Sequence, residues 1–161
     1  MRYLFILLIA MSCSVSSLAQ EPVKTIPAFR FSTLDGTVFN QTNLTTGKML
    51  FFVFVDTDCD HCQHAMQYIN RYHQEFKKVA IYLVSMANPA RIIQFMNSFG
   101  KNLVGQKQVV LLQDTRYDFI SKFKPKKYPG MFLYSADKKL LLYGDDEKKI
   151  YQFSKKIKAG G

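Results

Sequence analysis

Residues 48–56, Lys-Met-Leu-Phe-Phe-Val-Phe-Val-Asp, place seven apolar side chains in a row between a lysine and an aspartate. A run this short, rich in Phe and Val and without a polar face, is expected as a strand buried on both sides. No other stretch constrains the fold as much, because a strand covered on both faces needs a layer of helices or loops above and below its sheet. The residues that follow are amphipathic instead. Ala65, Met66, Ile69, Tyr72 and Phe76 recur at spacings of three and four, which predicts a helix from about Cys59 to Phe76, capped by Thr57 or Asp58.

The strand–helix alternation continues along the chain. "AFRFSTLDGTVFNQ" predicts two short strands around the turn dipeptide Asp35-Gly36. "VAIYLVS" and "QVVLLQ" predict two more buried strands. Between them Asn88-Pro89 opens a helix with Ile92, Ile93, Phe95, Met96 and Phe99 toward the core and Gly100 at its end. "DTRYDFISKF" predicts a short helix capped by Asp114, "GMFLYS" and "KLLLYG" an antiparallel pair, and Asp145 to Lys158 a last helix burying Ile150, Phe153 and Ile157. The fold class is therefore α/β, a mixed central sheet flanked by helices.

The first nineteen residues are expected to be a signal peptide: Met1-Arg2-Tyr3, the apolar core "LFILLIAM", then small residues with Ser17-Leu18-Ala19 as cleavage site. Residues 20–161 then form one domain of an exported protein. Ala10-Met11-Ser12-Cys13 loosely matches a lipoprotein cleavage box, the alternative in which Cys13 carries a lipid anchor. After cleavage at Gln20, Cys59 and Cys62 are the only cysteines, too few for a disulfide-stapled scaffold. The formal charge is +10, and residues 101–161 hold 14 Lys/Arg against 6 Asp/Glu. For an exported chain this reads as solvated helix faces, with no nucleic acid as partner.

The pair Cys59-Asp60-His61-Cys62 falls where the buried strand passes into the helix, at the carboxyl edge of the sheet. Unpaired amides and the positive end of the helix dipole favour a thiolate there. Asp56, Asp58 and Asp60 oppose it with negative charge, so the residues leave the redox direction open.

"DTDCDHC" at such a junction, followed downstream by "YPGMFLYSADKKLLLYG", resembles the thioredoxin-like family over roughly residues 25–158. The 67 residues from Cys62 to Pro129 leave room for one extra helix–strand unit. With the N-terminal hairpin, this spacing is similar to the TlpA/ResA branch of envelope thiol-disulfide oxidoreductases. The resemblance implies a thioredoxin-like fold, a periplasmic location and a redox-active Cys59–Cys62 disulfide that needs no further cofactor. In it Cys59 is the nucleophile, Cys62 the resolving thiol, and Pro129, as a cis-proline, lines the substrate groove with Tyr128. His61 stands where DsbA-like proteins have a histidine and would tune the thiolate. It also implies a monomer that acts on protein disulfides, more as a reductase, with a membrane thiol-reducing protein as electron donor. Several positions depart from the family. Asp58 replaces the tryptophan before the first cysteine, Val53 a buried acid, and Ala65 a glutamate, leaving His64 as the nearest proton carrier to Cys62.

Three other readings compete. Cys59, His61, Cys62 and His64 could bind Cu(I) or Zn(II), although ligands this close on one helical turn diverge. A peroxidase would need Pro and Thr or Ser where Phe52 and Asp56 stand. A binding module would keep the two cysteines as an inert structural disulfide.

Overall fold

The computed structural model describes residues 21–160. The expected signal peptide and Cys13 lie outside these residues. Seven strands form one mixed sheet in the order β2-β1-β5-β4-β3-β6-β7. At its centre β3 (Leu50–Phe54) and β4 (Ala80–Ser85) are buried at every residue and run parallel, Leu50 opposite Ala80 and Phe54 opposite Val84. β5 (Val109–Gln113) extends the parallel set. β6 (Gly130–Tyr134) lies antiparallel on the other side of β3, and β7 (Leu140–Gly144) antiparallel to β6. The hairpin of β1 (Arg30–Thr33) and β2 (Val38–Asn40) closes the far edge. Its turn uses Gly36 at φ 88°, a conformation that costs glycine little.

Among the described residues three α-helices complete the architecture: α1 (Asp60–Arg71), α2 (Pro89–Phe99) and α3 (Ile150–Ala159). α1 presents Cys62, Ala65, Met66 and Ile69 to one face of the sheet, where Ile92, Phe95 and Met96 of α2 and Phe153 and Ile157 of α3 join the same apolar cluster. The opposite face is aromatic. Phe29, Phe31, Phe52, Phe54, Phe119 and Phe123 pack there with rings 4.3–6.4 Å apart. The helix–strand unit expected between Cys62 and Pro129 is α2 with β5.

Five details of the fold differ from expectation; one is that the last helix, expected from Asp145, begins at Ile150 after a 3-10 turn at Glu147–Lys149. α1 stops at Arg71; the chain turns at Tyr72, and a 3-10 turn (Glu75–Lys78) carries Phe76 under Phe51, ring centroids 5.8 Å apart. Ile93 is 46% exposed, because the stripe of Ile92, Phe95, Met96 and Phe99 already fills the face that α2 turns inward. In β5 only Leu112 is fully buried, since on its outer side the strand pairs with just two residues of β1. The segment after β5 is a single π-helical turn (Phe119–Phe123) that stacks Phe119 on Phe123 at 4.3 Å.

Asp114 does organise that segment. Its buried carboxylate accepts the amides of Arg116, Asp118 and Phe119 at 3.2, 3.0 and 2.7 Å. Asp114→Ala would strand two buried donors and is expected to cost about 1–3 kcal/mol. Phe119→Ala, which removes a ring stacked on Phe54 at 4.4 Å, is expected to cost about 3–5 kcal/mol. Urea denaturation of each variant measures both, and a loss below about 0.5 kcal/mol for either would contradict the packing described.

Candidate active site

The sheet releases the chain late. The Val55 amide still donates to Val84 O at 2.9 Å, so the turn toward α1 begins only at Asp56. Asp56 shapes that turn: its Oδ1 accepts the Asp58 amide at 3.0 Å and its carbonyl the Cys59 amide at 3.3 Å. Cys59 itself occupies the N-cap of α1, extended at φ −84°, ψ 118°, and makes no side-chain cap hydrogen bond. Its carbonyl accepts the amides of Cys62 at 3.0 Å and Gln63 at 3.1 Å. Neither Thr57 nor Asp58 is the cap, contrary to expectation. The Asp58 carboxylate turns outward and pairs with the Arg91 guanidinium on α2.

The two cysteines differ sharply in environment. Both are free thiols; Cys59 is half-buried and Cys62 has no exposed surface. Burial pushes the Cys62 thiol far above the ordinary range. A hydrogen bond with the Asp56 main chain works against that rise, while a thiol–thiol hydrogen bond with Cys59 and the charges of Cys59 and Asp56 add to it. The sulfurs are thus neighbours, one facing solvent and one facing the core.

β6 brings the second half of the site. Gly130 lies opposite Phe54, so the residues just before Gly130 run beside the end of β3. A Cβ on Gly130 would sit 2.8 Å from Pro125 Cβ, so the close approach requires glycine. The Tyr128–Pro129 peptide is cis; Pro129 is buried and the Tyr128 ring rests on Phe54 with centroids 4.9 Å apart. Burial, followed by the charges of Asp56, Cys62, Asp114 and Cys59, pushes the Tyr128 hydroxyl up to about 12. Tyr128 separates two recesses. One, of about 310 Å³, is lined by Asp56, Thr57, Asp58, Asn88 and Arg91; the other, of about 140 Å³, by His61, Lys127, Asp145 and Glu147.

His61 is 66% exposed on its side chain, and its Nδ1 lies 2.9 Å from Glu147 Oε2. Glu147 and Arg91 are the site residues that sequence reasoning missed. Each pairs with the Cys59 loop from another element, and no local spacing announces such a partner. His64 is exposed, and His73 contacts Asn70 O and Gln74 Nε2 at 3.1 and 2.8 Å. Among the described residues no group of three or more His, Cys, Asp or Glu side chains is arranged to hold a metal ion. The ligand set imagined from Cys59, His61, Cys62 and His64 does not assemble, because His61 turns to Glu147 instead.

The contrast between the thiols has a direct readout. Iodoacetamide at pH 8 is expected to modify Cys59 in the folded protein and to leave Cys62 unmodified until denaturant is added, because a thiol with a raised pKa and no exposed surface supplies almost no reactive thiolate. Peptide mass mapping that found both labelled at similar rates would contradict this geometry.

Comparison with known proteins accords with the fold. The family model described as "AhpC/TSA family" matches residues 22–142. No curated protein sequence matches the chain. Among solved structures, a thioredoxin-like protein from Porphyromonas gingivalis is similar with a TM-score of 0.66 at 17% identity, covering 86% of this chain and 93% of that one. A secreted disulfide oxidoreductase of Mycobacterium tuberculosis, homologous to E. coli DsbE, gives 0.64 at 17% identity over 81% and 95% of the two chains. Yeast Sco1 gives 0.65 at 14% identity over 86% and 97%. The chain is thus a member of the AhpC/TSA family with a thioredoxin-like fold.

Proposed function

We propose that this chain is an exported thiol-disulfide oxidoreductase that reduces disulfides in other proteins. The observation that carries the reading is the asymmetry of the cysteine pair: Cys59 half-exposed at the N-cap of α1, Cys62 buried beside it. In the proposed cycle the Cys59 thiolate attacks one sulfur of a client disulfide. That S–S bond breaks, the client's other sulfur leaves as a thiolate and takes up a proton, and a mixed disulfide remains. Cys62 then gives up its proton to solvent or the departing client sulfur and attacks Cys59 Sγ. The second client thiol leaves, and Cys59 and Cys62 end as a disulfide. The client gains two electrons, the pair loses two, and a membrane thiol-reducing protein is the proposed donor that restores the dithiol.

The charges around Cys59 support the reducing direction. Asp56, Asp58 and Asp60 flank it, and the one basic side chain between the cysteines, His61, is matched by Glu147. A reduced state without a dedicated cationic partner is less stabilised, which makes a better reductant. Protein clients are favoured over peroxide. Phe52 is wholly buried in β3 and Asp56 carries a carboxylate where a peroxide site would need a hydroxyl. A client strand laid along Tyr128 and Pro129 would span from one recess to the other, pairing with main-chain groups.

Two experiments test the cycle. Cys62→Ser is expected to accumulate covalent adducts with envelope proteins that dithiothreitol dissolves, and Cys59→Ser none; equilibration with glutathione is expected to place the pair below about −250 mV. Absence of adducts in Cys62→Ser would sink the exchange mechanism, and a potential near −120 mV would reverse its direction. Tyr128→Ala is expected to lower kcat/KM on a protein disulfide by on the order of tenfold, with a much smaller effect on a small-molecule disulfide. Equal losses on both substrates would remove Tyr128 from the client groove.

A further inference from the structure

The two ends of the sheet differ in charge: at the Cys59 end acids and cations mingle, with Arg91, Lys127, Lys148 and Lys149 among the carboxylates, whereas the opposite end is nearly all lysine. Six of its twelve acidic residues, Asp56, Asp58, Asp60, Asp145, Asp146 and Glu147, gather at the end of the sheet where Cys59 lies. The opposite end is built by the start of β3, the start of β4 and the turn between β6 and β7. Leu50 pairs with Ala80 on one side and Tyr134 on the other, which fixes all three at one pole. Lys48, Lys78, Lys138 and Lys139 stand there by chain position, and the end of α3 adds Lys156. All five are exposed, as is Lys24. The lysine ion pairs among the described residues involve Lys122, Lys149 and Lys158, so none of these six is neutralised by a pair.

Two further observations narrow the partner. Lys48, Lys78 and Lys156 converge on one recess of about 450 Å³, shared with Gly47, Ser135 and a single acid, Asp137. The N-terminal segment also enters the fold at this pole. Val23 O accepts from the Tyr134 hydroxyl at 3.3 Å, Lys24 O accepts the Leu140 amide at 2.8 Å, and the Ile26 amide donates to Lys138 O at 3.3 Å. The apolar run Leu4–Met11 belongs to the segment that leads into it.

We propose that the lysine-rich pole is a docking face for an anionic phospholipid bilayer, with the recess between Lys48, Lys78 and Lys156 receiving a headgroup phosphate. Docked this way, the protein turns Cys59 and its acidic rim away from the membrane. Each lysine within a Debye length of an anionic leaflet adds about fivefold to the partition constant, and the attraction is screened by salt. The inference stands apart from the redox reading and needs no catalytic activity for its test.

The full chain would be sedimented with vesicles of phosphatidylcholine alone and with vesicles containing about one-third phosphatidylglycerol, so that insertion of the apolar run is common to both. The expected result is a preference of at least about tenfold for the anionic vesicles, falling as salt rises from low to physiological. The triple variant Lys48→Glu, Lys78→Glu, Lys156→Glu is expected to lose that preference. The variant Arg116→Glu, Lys124→Glu, Lys126→Glu, with the same change in net charge on other surfaces, is expected to keep it. No preference in the unaltered chain, or equal losses in the two variants, would overturn the docking face. A duplex oligonucleotide bound more tightly than the anionic vesicles through the same three lysines would also overturn it, assigning the pole to nucleic acid instead.

Discussion

β3 is paired along its whole length on both sides, to β4 in parallel and to β6 in antiparallel register, and every one of its residues is buried. Slippage of one residue would turn its side chains to the wrong face of the sheet, so burial on both faces pins the register strongly. That register fixes two otherwise distant pieces of chain. It sets where the strand ends and the Cys59 loop begins, and by placing Gly130 opposite Phe54 it brings Tyr128 and Pro129 to the same edge. The site is therefore a property of the sheet before it is a property of the loop. The Asp56 turn and the N-cap of α1 then settle which cysteine faces solvent.

Around this rigid junction many of the groups that touch solvent are charged, and two pairs tie elements together. Asp58 reaches Arg91 on α2, and His61 reaches Glu147 on the turn before α3. Exposed ion pairs of this kind contribute little to stability. Their effect is positional: they draw the side chains beside Cys59 outward, toward the two small recesses that Tyr128 separates.

Much of the architecture was legible in the sequence because burial on both faces writes itself as uninterrupted apolar runs. "KMLFFVFVD" and "VAIYLVS" name the two central strands, Asn88-Pro89 names the start of α2, and Asp35-Gly36 names the hairpin. The misses have local causes. The apolar stripe of α1 runs on to Phe76 in sequence, but the backbone needed a 3-10 turn there to enter β4, and a stripe does not reveal how the chain carries it. "QVVLLQ" looks as buried as its neighbours, yet a strand's burial depends on how far its outer partner extends, which its own residues do not encode. Ile93 shows the limit of apolar character alone, since the side chain sits off the inward face of α2. At the site, the cysteine pair and Pro129 are visible as spacing and motif. Arg91 and Glu147 are not, because they come from elements that meet the Cys59 loop only in three dimensions.

The sheet also divides the molecule into two unlike materials. One face is a mosaic of rings, with Phe29, Phe31, Phe52, Phe119 and Phe123 packed together; the other mixes aliphatic and sulfur side chains with fewer rings, and Cys62 belongs to it with Met66, Ile92 and Met96. Thioethers and branched aliphatics re-pack more readily than interlocked rings, and methionine adapts most of all. On the proposed redox cycle, a change in volume as a sulfur–sulfur bond opened or closed at Cys62 would be absorbed by the compliant side. The ring-lined side serves as an anvil, holding the strand that carries the site at a constant height while the layer above it yields.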